Sequence, residues 1–140
     1  MIVKSYVLWA LVACVTYSFV PSLVRVATRE IPGVPAAFIS NLVLVLAILV
    51  VILVSGYEVV PHMRSGASLY LYAAGLFLGV GILAYYRALE LGPVSVVVPI
   101  FAMFIVGGSL IGYAVLDETM TLTNGAGILL GVAAVYLISL

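Results

Sequence analysis

Leu42-Val43-Leu44-Val45-Leu46-Ala47-Ile48-Leu49-Val50-Val51-Ile52-Leu53-Val54 is apolar on every face. A strand of a membrane barrel alternates apolar and polar residues, and this stretch does not. A surface helix of a soluble protein keeps a polar stripe, and this stretch has none. What remains is a helix surrounded by apolar material. The rest of the chain says that the surroundings are lipid. Of 140 residues, 66% are hydrophobic and 7% are charged. A soluble domain carries about 25% charged residues. Five Lys+Arg and five Asp+Glu cannot keep the surface of such a chain in water. Disorder is excluded too, because it needs low hydrophobicity. The fold class is therefore all-α and integral to the membrane. The formal net charge is zero, and no basic patch suggests nucleic acid as a partner. Cys14 is the single cysteine, so no internal disulfide can form. No Cys/His cluster suggests a metal, and no cofactor is expected.

Charges, Pro, Gly and Asn break the apolar text where a helix leaves lipid. They predict five transmembrane helices, at about 3–28, 35–54, 69–89, 94–116 and 122–140, in a single domain over 1–140. The first run continues through Tyr17, Ser18 and Phe19 without a small-x-small cleavage site, so it does not read as a signal peptide. Tyr6, Trp9, Tyr57, Tyr70 and Tyr72 lie near helix ends, as aromatic residues do at membrane interfaces. Three glycine pairs have a spacing of four: Gly75/Gly79, Gly108/Gly112 and Gly127/Gly131. Such strips let two helix backbones approach closely. Packing within the chain is their expected use, with a second subunit as the alternative.

Glu30, Glu58, Glu90, Asp117 and Glu118 all lie at helix boundaries or in loops. A proton-coupled antiporter usually holds a carboxylate deep in the membrane. The small four-helix multidrug exporters, which depend on a glutamate in the first helix, are therefore a poor match. His62 has only Glu58 and Arg64 as ionisable neighbours, which is no nucleophile-and-base set, so no enzyme is expected. Arg25 and Arg87 each lie about a turn before a helix end. Snorkelling to the interface is the simple reading for Arg25. Arg87 can pair with Glu90 at i+3, or it can face a cavity and favour an anionic solute. Pro99 removes a backbone donor inside the fourth helix, and Pro21 does the same in the first, beside Thr16, Tyr17, Ser18 and Ser22. Interrupted membrane helices with polar groups nearby point to a transport site.

The stretch Tyr85-Tyr86-Arg87-Ala88-Leu89-Glu90-Leu91-Gly92-Pro93-Val94-Ser95 resembles the signature of EamA-type domains in the drug/metabolite transporter superfamily. Pro99 matches the family's fourth-helix proline, and Asp117-Glu118 resembles its Gly-Glu at the end of that helix. Gly127 and Val135-Tyr136-Leu137-Ile138 resemble its last helix. The likeness is good over 72–140 and looser over 1–55. The Trp-Gly pair common in the first helix falls at Val15-Thr16, the second-helix arginine at Asn41, and a last-helix glycine at Ala134.

The resemblance implies a fold of ten helices made of two inverted five-helix repeats, of which this chain matches one. It implies a substrate cavity lined by helices 1, 3 and 4, hence by Tyr17, Ser18, Tyr86, Pro99, Phe101, Met103 and Ser109. With Pro21 and Arg87 from the residues themselves, these form the candidate set. The expected function is export of a small organic solute or metabolite from a prokaryotic cell, across its cytoplasmic membrane, by alternating access in a homodimer. The rival is a non-transporting membrane partner subunit. Loop charge hardly chooses an orientation. Lys4 and Arg64 lie on one side, and Arg25, Arg29 and Arg87 on the other. Insertion both ways, with antiparallel pairing, is therefore expected, the alternative being a single orientation with a parallel homodimer or a separately encoded partner.

Overall fold

The computed structural model describes residues 5–115 and 119–139. These residues are all helix and connection, with no strand among them. Four helices are long and apolar enough to cross a membrane: Ser5–Ala27, Gly33–Ser55, Ser68–Leu91 and Val94–Val115. Leu122–Ile138 is a shorter apolar helix. The chain divides into two compact units, Met1–Leu91 and Gly92–Leu140.

In the first unit, α1 (Ser5–Ala27) ends where its apolar text ends. The turn is closed by backbone bonds from Thr28 N–H to Val24 O (2.8 Å) and from Ile31 N–H to Ala27 O (3.0 Å). Pro32, extended at ψ 148°, then starts α2 (Gly33–Ser55). The α2 helix stops at Gly56, which has φ 70° and donates its N–H to Ile52 O at 2.9 Å. That left-handed conformation favours glycine, because a Cβ would meet the backbone. A short helix, α3 (Val60–Met63), lies inside the polar stretch between the second and third expected spans. The Tyr72 hydroxyl (2.7 Å) and the Ser68 hydroxyl (3.0 Å) both donate to Met63 O, tying α3 to the start of α4 (Ser68–Leu91). The expected third helix thus runs one residue earlier and two later than 69–89, and Arg87 and Glu90 lie in its last turns.

α4 packs on both α1 and α2. The buried residues cluster where the C-terminal ends of α1 and α4 meet the N-terminal end of α2: Pro21, Val24 and Thr28 with Gly33, Ala36 and Ala37, against Tyr85, Tyr86 and Leu89. Leu89 is fully buried. Small residues on α2 allow the approach. A Cβ built on Gly33 would lie 2.8 Å from Glu90 Oε2 and 3.3 Å from the Tyr86 backbone. Elsewhere the large apolar side chains of α1, α2 and α4 point outward, as lipid-facing surfaces do.

In the second unit, Pro93, extended at ψ 145°, precedes α5 (Val94–Ala102). The expected single helix over 94–116 is interrupted. Met103 N–H bonds to Ile100 O at 3.1 Å, a three-residue spacing, and α6 (Phe104–Val115) begins after it. The interruption comes one turn after Pro99. The Phe101 and Phe104 rings meet across it, with centroids 5.1 Å apart. α7 (Leu122–Ser139) is capped by Thr121, whose hydroxyl accepts the Asn124 N–H at 3.1 Å. α7 packs on α5. Lys4, Asp117 and Glu118 lie outside the described residues.

Gly112 apart, the glycine pairs stand in open space within their own units, among the described residues. A Cβ built on Gly75, Gly79, Gly108, Gly127 or Gly131 meets no heavy atom within 4 Å. Gly112 is the buried member of its pair. A close approach within the first unit is made at Gly33, which belongs to none of the pairs.

This contrast is testable by thermal unfolding in detergent. Gly33→Ala should lose about 1–3 kcal/mol, the usual cost of forcing a methyl into a packed contact. Gly79→Ala should instead be neutral or gain about 0.5–1 kcal/mol, since alanine is the better helix former.

Candidate functional site

The first unit gathers its polar groups at the junction of its helix ends. The last carbonyls of a helix have no partner within it, and lipid supplies none. Arg25 reaches across from α1 and donates through Nη1 to Leu89 O (2.7 Å) and Glu90 O (2.9 Å). Arg25 therefore caps α4 rather than snorkelling, because two orphan carbonyls lie within its reach. The first amides of α2 have the opposite need. Glu90 Oε2 accepts the Gly33 N–H at 3.1 Å, and Glu90 Oε1 pairs with Arg87 Nη1 at 2.9 Å. One carboxylate thus closes a helix start and holds a cation. Tyr86, 3% exposed, shares a 2.6 Å hydrogen bond between its hydroxyl and that of Ser40 on α2. Asn41 turns its amide to Ala37 O of its own helix at 2.8 Å.

Of the candidates in this unit, Tyr86, Pro21 and Arg87 are near the junction. Arg87 faces Glu90 while its side chain stays 63% exposed. Tyr17 and Ser18 are exposed on α1, upstream of Pro21. The Ser18 hydroxyl donates to Cys14 O at 2.7 Å, and the Thr16 hydroxyl lies 2.9 Å from Val12 O and 3.0 Å from Ala13 O. Their donors serve their own helix. Pro21 leaves α1 continuous.

The second unit holds a groove of about 430 Å³ between α6, residues 119–120 and α7. Met103, the residue at the helix interruption, lines it, as does Ser109. Phe101 and Pro99 stand outside its lining. Sequence reading missed Tyr113, Thr119 and Asn124, which supply most of its polar lining. Thr121-Leu122-Thr123-Asn124 was readable as a helix start. Nothing in the residues says that its third position opens on a groove. Among the described residues no group of His, Cys, Asp or Glu could hold a metal ion.

A sequence model described as the EamA-like transporter family matches residues 4–140. The chain belongs to that family. A curated relative from Sinorhizobium sp., named "Uncharacterized transporter in cobO 3'region", is 29% identical over 126 residues, covering 89% of each chain. No solved structure matches this EamA chain. Members of the family are transporters, and four spanning helices fit a multi-pass membrane protein.

The two arginines of the EamA chain should differ sharply on replacement. Arg25→Ala strands two carbonyls and should cost about 1.5–3 kcal/mol, the range for hydrogen bonds to a charged group. Arg87→Gln breaks an exposed pair and should cost about 0–1 kcal/mol. Unfolding of the two purified variants in one detergent measures both.

Proposed function

We propose that this EamA chain carries a small organic solute outward across the cytoplasmic membrane of a prokaryote, by alternating access in a homodimer. The observation that carries this reading is the interrupted span in the second unit. An apolar span gains nothing from a break that faces lipid. Here Met103, at the break, lines a groove with hydroxyl and amide groups on its wall. That pairing of a broken helix with a lined cavity is how membrane transporters commonly form a solute site.

The homodimer draws support from the family resemblance, in which five helices make half of a cavity, and from Gly75, Gly79 and Gly108, where among the described residues a Cβ would meet no heavy atom within 4 Å. The small difference in loop charge supports insertion in both orientations and antiparallel pairing. Arg25 and Arg87 both have partners, which argues for a solute held without an arginine clamp.

The test compares bacterial cells expressing the parent chain with cells expressing Pro99→Ala, using untargeted mass spectrometry of the medium. At least one solute should accumulate outside parent-expressing cells. Pro99→Ala restores the donor to the Ser95 carbonyl, so its export should fall while the amount of folded protein holds. If no solute moves with the parent, the chain is a non-transporting partner subunit instead. Equal export by both would remove the break from the mechanism. For orientation, a C-terminal tag should be labelled from both faces of the membrane. Two variants biased oppositely by added loop lysines should be inactive singly and active together.

A further inference from the structure

The groove in the second unit is graded in polarity along its length. At the end nearest the α6–α7 connection stand Tyr113, Thr119 and Asn124, together with Met120. Ser109 lies one turn back along α6 and Ile128 one turn on along α7, and beyond them come Ala102, Met103, Ile105, Val106 and Val135. From Tyr113 to Met103 is ten residues, or roughly 15 Å at helical rise. The volume, about 430 Å³, suits a small molecule.

The polar groups at this end are not consumed by contacts among the described residues. Asn124 gives its backbone N–H to the Thr121 hydroxyl, and its side-chain amide has no hydrogen-bond partner among the described residues. The Tyr113 hydroxyl is in the same condition. Ser109 donates to Ile105 O at 2.9 Å, which leaves its oxygen able to accept. An amide offers two donors and an acceptor, so it complements another amide or a hydroxyl. Among the described residues the lining offers hydroxyl, phenol and amide groups and no charged side chain. The α7 wall is held back by Gly127 and Gly131, where a Cβ would meet nothing within 4 Å. Those glycines keep the groove empty of protein.

We infer that this groove binds an uncharged amphiphile, with an amide or hydroxyl head at Asn124 and Tyr113 and an apolar body along the floor. The inference gives the substrate class of the proposed transporter and rests on that reading for its purpose. Its geometry stands without it.

The test measures occupancy, so that it can fail separately from transport. In a Cys14→Ser background, Ile128→Cys places a thiol in the groove, and Leu129→Cys places one on an exposed position. Each purified protein is reacted with N-ethylmaleimide in detergent in the presence of hexanamide, hexan-1-ol, hexanoate or hexylammonium. The four probes share a six-carbon body and differ in the head. Hexanamide and hexan-1-ol should slow labelling of Ile128→Cys, and the two ions should need about tenfold higher concentrations, a difference of about 1.4 kcal/mol. Labelling of Leu129→Cys should not respond. Asn124→Leu, added to Ile128→Cys, should raise the half-protecting hexanamide concentration about tenfold, as the loss of hydrogen bonds to the head predicts. Gly127→Leu, which the open space allows to fold, should fill the groove and abolish protection. Equal protection by an ion would overturn the inference, as would unaltered protection in both Asn124→Leu and Gly127→Leu. A thiol at 128 that never reacts would also overturn it, since the groove would then be closed by protein or detergent. Solute export without hexanamide protection would leave the transporter standing and remove this site. Protection without any export would do the reverse.

Discussion

The Arg25 guanidinium, set against the carbonyls of Leu89 and Glu90, is the contact on which the first unit depends. Lipid offers helices no hydrophobic reason to associate, since tails are as apolar as the side chains they would replace. Association must come from close packing and from backbone groups that lipid leaves unsatisfied. Arg25 supplies donors where α4 ends, and Glu90 supplies an acceptor where α2 begins. Each charge is placed at the helix end whose partial charge is opposite: the cation at a C-terminus, the anion at an N-terminus. Gly33 makes the second of these possible by keeping its Cβ out of the way.

The two units treat polar groups differently. In the first, Tyr86 meets Ser40, Asn41 bonds back to Ala37, Thr16 and Ser18 bond back along α1, and Arg87 meets Glu90. Little is left over for a ligand. In the second, the interruption at Met103 and the capped start of α7 border a groove whose amide and phenol stay unpaired among the described residues. Satisfied groups make a rigid body, and unsatisfied ones beside a cavity make a place to bind. This division follows the chain break at Gly92-Pro93.

Much of the fold was legible in the residues because lipid imposes a length and an apolar content on each span. The text from Leu42 to Val54 has no other stable reading, and Gly56 and Pro32 mark their helix ends by backbone geometry alone. The Tyr85–Ser95 stretch pointed to the family that the match over 4–140 established. What stayed hidden depends on contacts between residues distant in sequence. Arg25 and Leu89 are 64 positions apart, and no local pattern says that one caps the other. Glycine spacing drew the eye to Gly75 and Gly79 and passed over Gly33, because the junction that brings the Glu90 carboxylate and the Tyr86 backbone against it is formed by residues distant in sequence. The site was legible in part. Pro99 flagged the helix that breaks, and Met103 and Ser109 line the groove, while Tyr113 and Asn124 carried no signal of their own.

The glycines along α7 have a consequence for how such a protein can change over time. At Gly127 and Gly131 the space beside the helix is open, so a larger residue would shorten or narrow the groove without straining the fold. The dimensions of the groove are therefore set in part by single positions whose enlargement meets open space. Selection can resize the groove one residue at a time without repair elsewhere. The junction at Gly33 allows no such latitude, so divergence among related chains should collect on the α7 wall while the helix ends stay fixed.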